Sequence, residues 1–172
     1  MAIERVSPQD SLRADGYAER DMILAYDSDF FGLFVSSYRR TVGAEPVFFE
    51  PGQRPSAAWL YEEARHPVLA HNTDPDPRFI YANKAAQACF EYGWDEITSL
   101  PSRLSAEPVD REERQKLLDD VARQGFATGY SGLRIAKSGR HFWIEDGVVW
   151  QLIDENGAVR GQAATFARWR DA

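Results

Sequence analysis

The sequence predicts an α+β fold in which an antiparallel sheet is built from strands at both ends of a helical middle. Two short apolar segments, 68–71 and 79–82, have the length and composition of strands. Three longer segments, at about 126–136, 141–153 and 159–169, are separated by turn-forming residues. Helical patterns fill the interval between the two groups, and this arrangement is typical of α+β domains.

The residues before position 57 are predicted to extend a domain that occupies 57–172. Residues 1–19 are polar with few apolar anchors, so we expect a flexible or peripheral segment. Residues 20–56 are predicted as a helix, in one piece or two, followed by a proline-rich linker. The aromatic residues Phe30, Phe31, Phe34 and Tyr38 recur at the spacing of one helical face. That face must be covered by the domain body or by another subunit.

Capping and turn residues indicate where the remaining elements begin and end. Asn83 suits the N-cap of a short helix. A longer helix is predicted over about 109–124, where one stripe is apolar and charged residues cover the rest. The pair Asn156-Gly157 is a strong hairpin signal between the last two strands. Asp146-Gly147 interrupts the middle strand of the last three and is predicted to mark a β-bulge.

The composition excludes several classes of protein. The chain has 172 residues, of which 44% are hydrophobic, and this fits one domain with a buried core. A net charge of −7 disfavours nucleic acid and anionic membranes as partners, because both need a basic face. The single cysteine, Cys89, cannot form an internal disulfide. Without a signal peptide or an apolar segment long enough to span a bilayer, we expect a cytoplasmic protein.

Several motifs along the chain occur in the order found in one protein family. They are Phe79–Asn83 (FIYAN), Leu100–Arg103 (LPSR), Ala106–Pro108 (AEP), Arg111, Arg114, Gly129–Ile135 (GYSGLRI), Gly139-Arg140, Val149-Trp150 and Gly161–Phe166 (GQAATF). Over about residues 22–169 the chain resembles the MEKHLA family, a PAS-related group of bacteria and of plant homeodomain-zipper proteins. It resembles a stand-alone bacterial member of that family.

The resemblance implies a PAS-like fold, with a five-stranded antiparallel sheet and short helices on one of its faces. It implies no established activity, and a shared fold does not determine function. The chain lacks the six-residue run that gives the family its name, and it lacks the homeodomain-zipper segment. The plant role in controlling the dimerisation of transcription factors is therefore not transferred to it.

A cavity between the sheet and the helices is the expected binding site on such a fold. The candidate ligand-binding residues are Tyr81, Asn83, Trp94, Arg103, Tyr130, Arg134, Trp143 and Trp150. The alternative is that the aromatic rings fill the core and leave no pocket. Arg103 and Arg134 are suited to a ligand carboxylate, or to ion pairs with protein carboxylates such as Glu107.

No pattern in the sequence indicates catalysis or a metal site. Cys89 lies on an apolar helix face, outside the Asn-Cys-Arg type motif of photoactive flavin domains, so we expect a core residue. His66, His71 and His141 lack metal-ligand spacing and are expected in surface or turn roles, with haem ligation as the alternative. The carboxylates fall in turns or on a solvated helix face. We therefore predict no enzyme, and the sequence assigns no cofactor.

The expected function is that of a sensory or regulatory module that binds a small, partly aromatic or acidic metabolite. The alternative is a protein-interaction module with a filled core, which forms a homodimer through Phe30, Phe31, Phe34 and Tyr38. A third alternative is an enzyme on an α+β cone, such as an isomerase with a buried acid. The sequence does not identify the output protein that would receive a signal.

Overall fold

The structure, a computed structural model, describes residues 24–172. Helices α1 (Ser28–Val42) and α2 (Ala57–Glu62) precede strands β1 (Val68–His71) and β2 (Phe79–Ala82). The helical middle consists of α3 (Lys84–Phe90), α4 (Trp94–Ile97), the 3-10 helices Ser102–Ser105 and Pro108–Asp110, and α5 (Arg111–Gln124). The last strands are β3 (Phe126–Ile135), β4 (His141–Ile153), β5 (Val159–Thr165) and β6 (Arg168–Asp171). The predicted segment 1–19 lies outside the described residues.

Local signals account for the bounds of α1. The Asp27 side chain accepts a hydrogen bond from the backbone N–H of Phe30, 2.8 Å away, and so caps the first turn. Gly43 has a φ of 76° and ends the helix in the left-handed conformation that glycine adopts without strain.

Among residues 24–172, no helix is long and apolar enough to cross a membrane.

The sheet is antiparallel, with strand order β2-β1-β5-β4-β3, and β6 pairs with β4. The five predicted strands are confirmed, with one correction at the last of them. The predicted strand 159–169 is divided in two, because the chain leaves the sheet after Thr165 and re-enters it at Arg168.

Strand β4 explains this division. On one edge it pairs with β5 through Val148–Ile153 and with β6 through Phe142–Glu145. Asp146 lies between these two segments with a φ of 53°, and β4 has one more residue there than β3. The predicted bulge is therefore confirmed. A bulge bends its strand, so one straight partner cannot follow β4 from end to end.

The two faces of the sheet bury different helices. On the first, the α1 face, Tyr81 packs on Phe34 and Trp150 packs on Tyr38, with ring centroids 4.9 and 5.0 Å apart. The second, the α5 face, contacts α3 and α4 through a cluster that includes Leu69, and it is covered further along by α5. Helices α3 and α5 therefore lie on one face and α1 lies on the other, while α4 lies beside the end strand β2, with Ile97 in one core and Trp94 in the other.

Candidate functional site

A cavity of about 60 Å³ lies between the sheet and helix α5. Since about 10–15 Å³ is the minimum that admits one water, this volume has room for a small molecule. Its wall is mostly apolar, with contributions from β1, β3, β4, β5 and α5. The polar side chains in the wall are those of His71, Ser105, Arg114, Tyr130, Arg134, Gln162 and Thr165. No Asp or Glu of the described chain lines this cavity.

Arg114 projects from the first turns of α5 and is only 8% exposed. Within residues 24–172 its guanidinium forms no hydrogen bond and no ion pair. Burial, together with the positive charge of Arg134, lowers the pKa of Arg114 to about 10. Since even that pKa is well above 7, the group stays charged at neutral pH. The wall therefore contains a largely buried charge with which no described carboxylate forms an ion pair.

Arg134 lies on β3 and is 7% exposed. Its Nη1 donates to the backbone oxygen of Leu133 at 2.7 Å, and its Nη2 donates to the Tyr130 hydroxyl at 2.6 Å. The guanidinium also lies 5.4 Å from the centroid of the Tyr130 ring. These contacts hold Arg134 in place without neutralising it, because none of them is with a carboxylate.

Gly132 separates Tyr130 from Arg134 along β3 and makes room for both. A Cβ at this position would stand 2.7 Å from Cζ of the Tyr130 phenol and 3.0 Å from Nη1 of Arg134. Both distances are below ordinary van der Waals contact. Gly132 therefore lets the phenol fold over the strand and reach the guanidinium.

His71 and Gln162 face each other across the β1–β5 ladder. Nδ1 of His71 lies 2.9 Å from the Asn72 carbonyl, which only accepts, so Nδ1 carries the proton and Nε2 is left as an acceptor. Gln162 donates through Nε2 to the Leu118 carbonyl at 3.1 Å. His71 Nε2 and Gln162 Oε1 are both buried, and neither has a hydrogen-bond partner in the described chain. Two unused acceptors are therefore held at the cavity.

Burial lowers the pKa of His71, and the nearby charge of Arg114 lowers it further. The unfolded chain then binds a proton more readily than the folded chain once the pH falls below about 6.5. We expect stability to be lost as the pH falls from 7.5 to 5.5, and His71→Gln to reduce that loss. Melting temperatures at pH 7.5, 6.5 and 5.5 measure the effect.

Burial also lowers the pKa of His66, which adds to the loss in the same pH range. The double variant His66→Gln/His71→Gln should therefore flatten the profile more than His71→Gln does. An unchanged pH profile in His71→Gln would contradict a neutral, buried His71.

Of the eight predicted ligand residues, Tyr130 and Arg134 line the cavity. Tyr81, Trp94 and Trp150 instead belong to the core on the α1 face. The prediction placed them at the cavity, and the structure corrects this: Tyr81 and Trp150 pack against α1, and Trp94 packs on Tyr61 and Tyr81. The alternative of a filled core therefore holds on one face of the sheet, and a cavity remains on the other.

The other three predicted ligand residues have different positions. All four hydrogen bonds of the Asn83 side chain go to the protein backbone. Arg103 is exposed and pairs with Asp76 at 3.1 Å, so it lies outside the cavity, and its partner is not Glu107. Trp143 lines a second cavity of about 80 Å³, which shares Arg114, Tyr130 and Arg134 with the first and is also lined by Asp110 and Glu113. The two guanidinium groups thus lie between the two cavities.

The structure shows how the predicted dimer residues are covered. Phe34 and Tyr38 are 0% and 1% exposed, because the chain's own sheet covers them. They are therefore unavailable to a second copy, which corrects their assignment to an interface. Phe30 and Phe31 are half-buried against the same core. The homodimer itself stays a prediction, which the oligomeric state in solution decides.

Cys89 is buried, and burial raises the pKa of its thiol to about 12, so the predicted core role is confirmed. His71 is 9% exposed, so its predicted surface or turn role is wrong: the strand carries its side chain inward. Within residues 24–172, no cluster of three or more His, Cys, Asp or Glu side chains could hold a metal ion.

Sequence reasoning missed His71, Arg114 and Gln162 as cavity residues. One signal could have found Arg114. It stands three and four residues before Leu117 and Leu118, and so lies on the apolar stripe of its helix. A charged residue inside such a stripe is buried by the same packing as its neighbours. His71 and Gln162 gave no comparable signal, because their pairing depends on the register between two distant strands.

Comparisons with known proteins agree with this fold. The chain is 26% identical over 141 residues to the homeobox-leucine zipper protein REVOLUTA of Arabidopsis thaliana, a match over 77% of this chain and 16% of REVOLUTA. The chain thus spans about a sixth of the length of that relative.

Among solved structures, the chain is similar to the PAS domain of a protein from Colwellia psychrerythraea, with a TM-score of 0.56 and 20% identity over 67% of this chain and 92% of that one. It is also similar to a light-oxygen-voltage domain studied with a flavin analogue, with a TM-score of 0.52 and 17% identity over 63% and 78% of the two chains. These likenesses show a PAS-like fold. The MEKHLA domain model matches residues 28–171, and the chain therefore belongs to the MEKHLA domain family.

Proposed function

We propose that this protein is a sensory or regulatory module that binds a small ligand in the cavity between the sheet and α5. The observation that carries the proposal is the set of buried polar groups that line the cavity without partners in the described chain. These are Nε2 of His71, Oε1 of Gln162 and Oγ1 of Thr165, and beside them the largely buried guanidinium of Arg114 forms no hydrogen bond or ion pair with the described chain. Buried polar groups are almost always hydrogen-bonded, so several unused ones around one cavity favour a bound molecule.

Binding is favoured over catalysis by the arrangement of the same side chains. No described carboxylate lines the cavity, so a pair of carboxylates for acid and base work is absent from its wall. The Ser105 hydroxyl donates to the Ser102 carbonyl at 2.8 Å, and no hydrogen bond joins it to His71. A serine nucleophile needs a base within hydrogen-bond reach, and this pair does not form one.

Strand β4 connects the cavity with the opposite face of the sheet, so a ligand in the cavity can affect the packing there. Val149 lines the cavity, and its neighbour Trp150 points the other way and packs on Tyr38 of α1. A shift of β4 caused by a ligand therefore changes the packing of α1. Such coupling needs the ligand to stabilise one of two arrangements of these elements more than the other. Helix α1 is the element that we propose as the output.

Native mass spectrometry of the purified protein, with denaturing mass spectrometry alongside, tests whether a ligand is retained. A bound mass that disappears on denaturation supports the proposal and gives the mass of the ligand. For ligands lost during purification, melting temperatures are measured with four probes of similar shape: isobutyrate, isobutyramide, isobutanol and isobutylamine. A probe that binds should raise the melting temperature by about 5–10 °C at 100 times its Kd.

A variant that fills the cavity shows whether a probe binds there. Ala164 lines the cavity beside Leu69 and Val149, so Ala164→Leu places three further carbon atoms in it. We expect this variant to unfold cooperatively and to lose the response to any probe. Ala122→Leu makes the same change on the exposed side of α5 and should keep the response. No bound mass and no response to any probe would overturn the proposed function.

A further inference from the structure

We propose that the ligand is a small monocarboxylate with a compact apolar body, and that Arg114 and Arg134 bind its carboxylate. This inference rests on the proposed function and names the class of ligand for the same cavity.

The positive charge of the cavity wall favours an anionic ligand. Two guanidinium groups line it, both less than a tenth exposed, and no Asp or Glu from residues 24–172 lines it with them. Neither arginine forms an ion pair anywhere in that part of the chain, although eleven other ion pairs are present there. Asp110 and Glu113 line the adjoining cavity but form no ion pair with either arginine. An anion bound between the two arginines would therefore supply a counter-charge that neither has within ion-pair distance.

The donors of the two side chains fit a carboxylate. A guanidinium has five N–H donors. Arg134 uses Nη1 and Nη2 once each, for the Leu133 carbonyl and the Tyr130 hydroxyl. The side chain of Arg114 donates to no described residue, so donors remain free on both. Planar guanidinium groups pair with carboxylate oxygens through parallel hydrogen bonds. The contacts with Tyr130 hold Arg134 in position before a ligand arrives, which reduces the entropy cost of binding.

The apolar part of the cavity wall favours a ligand whose remaining portion is short and apolar. Beyond the polar groups, the wall consists of side chains such as Leu117, Leu118, Ile144, Val149 and Phe166. A second charged group on the ligand would lie against these residues without a partner, so a dicarboxylate fits less well than a monocarboxylate. A cavity of about 60 Å³ admits only a small ligand. Isobutyrate has six non-hydrogen atoms and is the probe of choice.

Isothermal titration of the full chain with isobutyrate, isobutyramide and inorganic phosphate tests the inference. We expect isobutyrate to bind at least tenfold more tightly than isobutyramide, which has the same shape without the charge, and more tightly than phosphate, which has charge without an apolar body. Arg114→Met and Arg134→Met should each weaken isobutyrate at least tenfold and leave isobutyramide unchanged. Arg134→Lys keeps the charge but loses the planar fork, so it should retain only part of the affinity.

Arg103→Met is the matched control, because Arg103 is exposed and paired with Asp76 on the surface. Its affinity for isobutyrate should equal that of the unmodified chain. Equal or tighter binding of isobutyramide, tighter binding of phosphate, or unchanged isobutyrate affinity in Arg114→Met and Arg134→Met would each overturn the carboxylate assignment. If isobutanol or isobutylamine binds instead and Ala164→Leu blocks it, the cavity still binds ligands and only the ligand class is wrong.

Discussion

Gly161→Ala is expected to destabilise the protein by about 3 kcal/mol or more, or to prevent it from folding. Gly161 lies on β5 with a φ of 154°. A Cβ there would stand 3.2 Å from the carbonyl carbon of His71 and closer still to its oxygen. Both are backbone atoms of β1, so no side-chain rotation relieves the overlap, and the two strands must separate. Urea unfolding followed by tryptophan fluorescence measures the loss.

Gly32→Ala is the matched control for this substitution. Gly32 is inside α1, and a Cβ at that position has nothing within 4 Å. Alanine is a better helix former than glycine, so this variant should be about 0.5–1 kcal/mol more stable than the unmodified chain. A Gly161→Ala variant as stable as the unmodified chain would show that β1 and β5 are further apart than the structure has them.

Asn83→Ala is expected to cost about 3–4 kcal/mol, because four buried hydrogen bonds are lost together at about 1 kcal/mol each. Oδ1 of Asn83 accepts from the N–H groups of Ala86 and Val68, at 3.0 and 2.9 Å. Nδ2 donates to the carbonyls of Leu60 and His66, at 3.1 and 2.9 Å. One side chain thus caps α3 and joins it to β1 and to the end of α2. Chemical denaturation measures the free energy of unfolding.

Two further variants separate these roles. Asn83→Asp keeps the accepting oxygen but turns a second oxygen towards two carbonyls, so it should be at least as damaging as alanine at pH 7. Ser56→Ala removes an ordinary N-cap with one hydrogen bond, to the Trp59 N–H, and should cost only about 1 kcal/mol. If Asn83→Ala costs no more than Ser56→Ala, the contacts with Leu60 and His66 contribute nothing to stability.

Much of the fold follows from local patterns in the sequence. The cap at Asn83 and the bulge at Asp146 were each predicted from residue type alone, and each is found. Such features depend on a few neighbouring residues, so a short segment contains the information. The division of the last predicted strand could not be predicted in this way. It depends on how β4 bends at Asp146 and on which partner each half of β4 retains.

The site was less predictable than the fold for a related reason. Alternation along a strand shows that Val149 and Trp150 point to opposite faces, but it does not show which face receives α1 and which receives α5. Aromatic rings were therefore assigned to a cavity when three of them form the core on the other side. Arg134 was found because a charged residue inside a strand is conspicuous. Arg114 lies near Arg134 in the folded protein but far from it along the chain, so no local pattern links the two.

The outermost strand beside the first half of β4 affects how the molecule behaves at high concentration. Arg168 and Arg170 of β6 pair with Asp146 and Glu145 at 2.5 and 2.7 Å, and no described strand pairs with the far edge of β6. An uncovered edge can recruit strands from other molecules into a growing sheet. Short length and dense charge discourage such recruitment, because an incoming strand would have to dehydrate these ions. Strand β6 thus presents an edge that disfavours self-assembly beside the first half of β4.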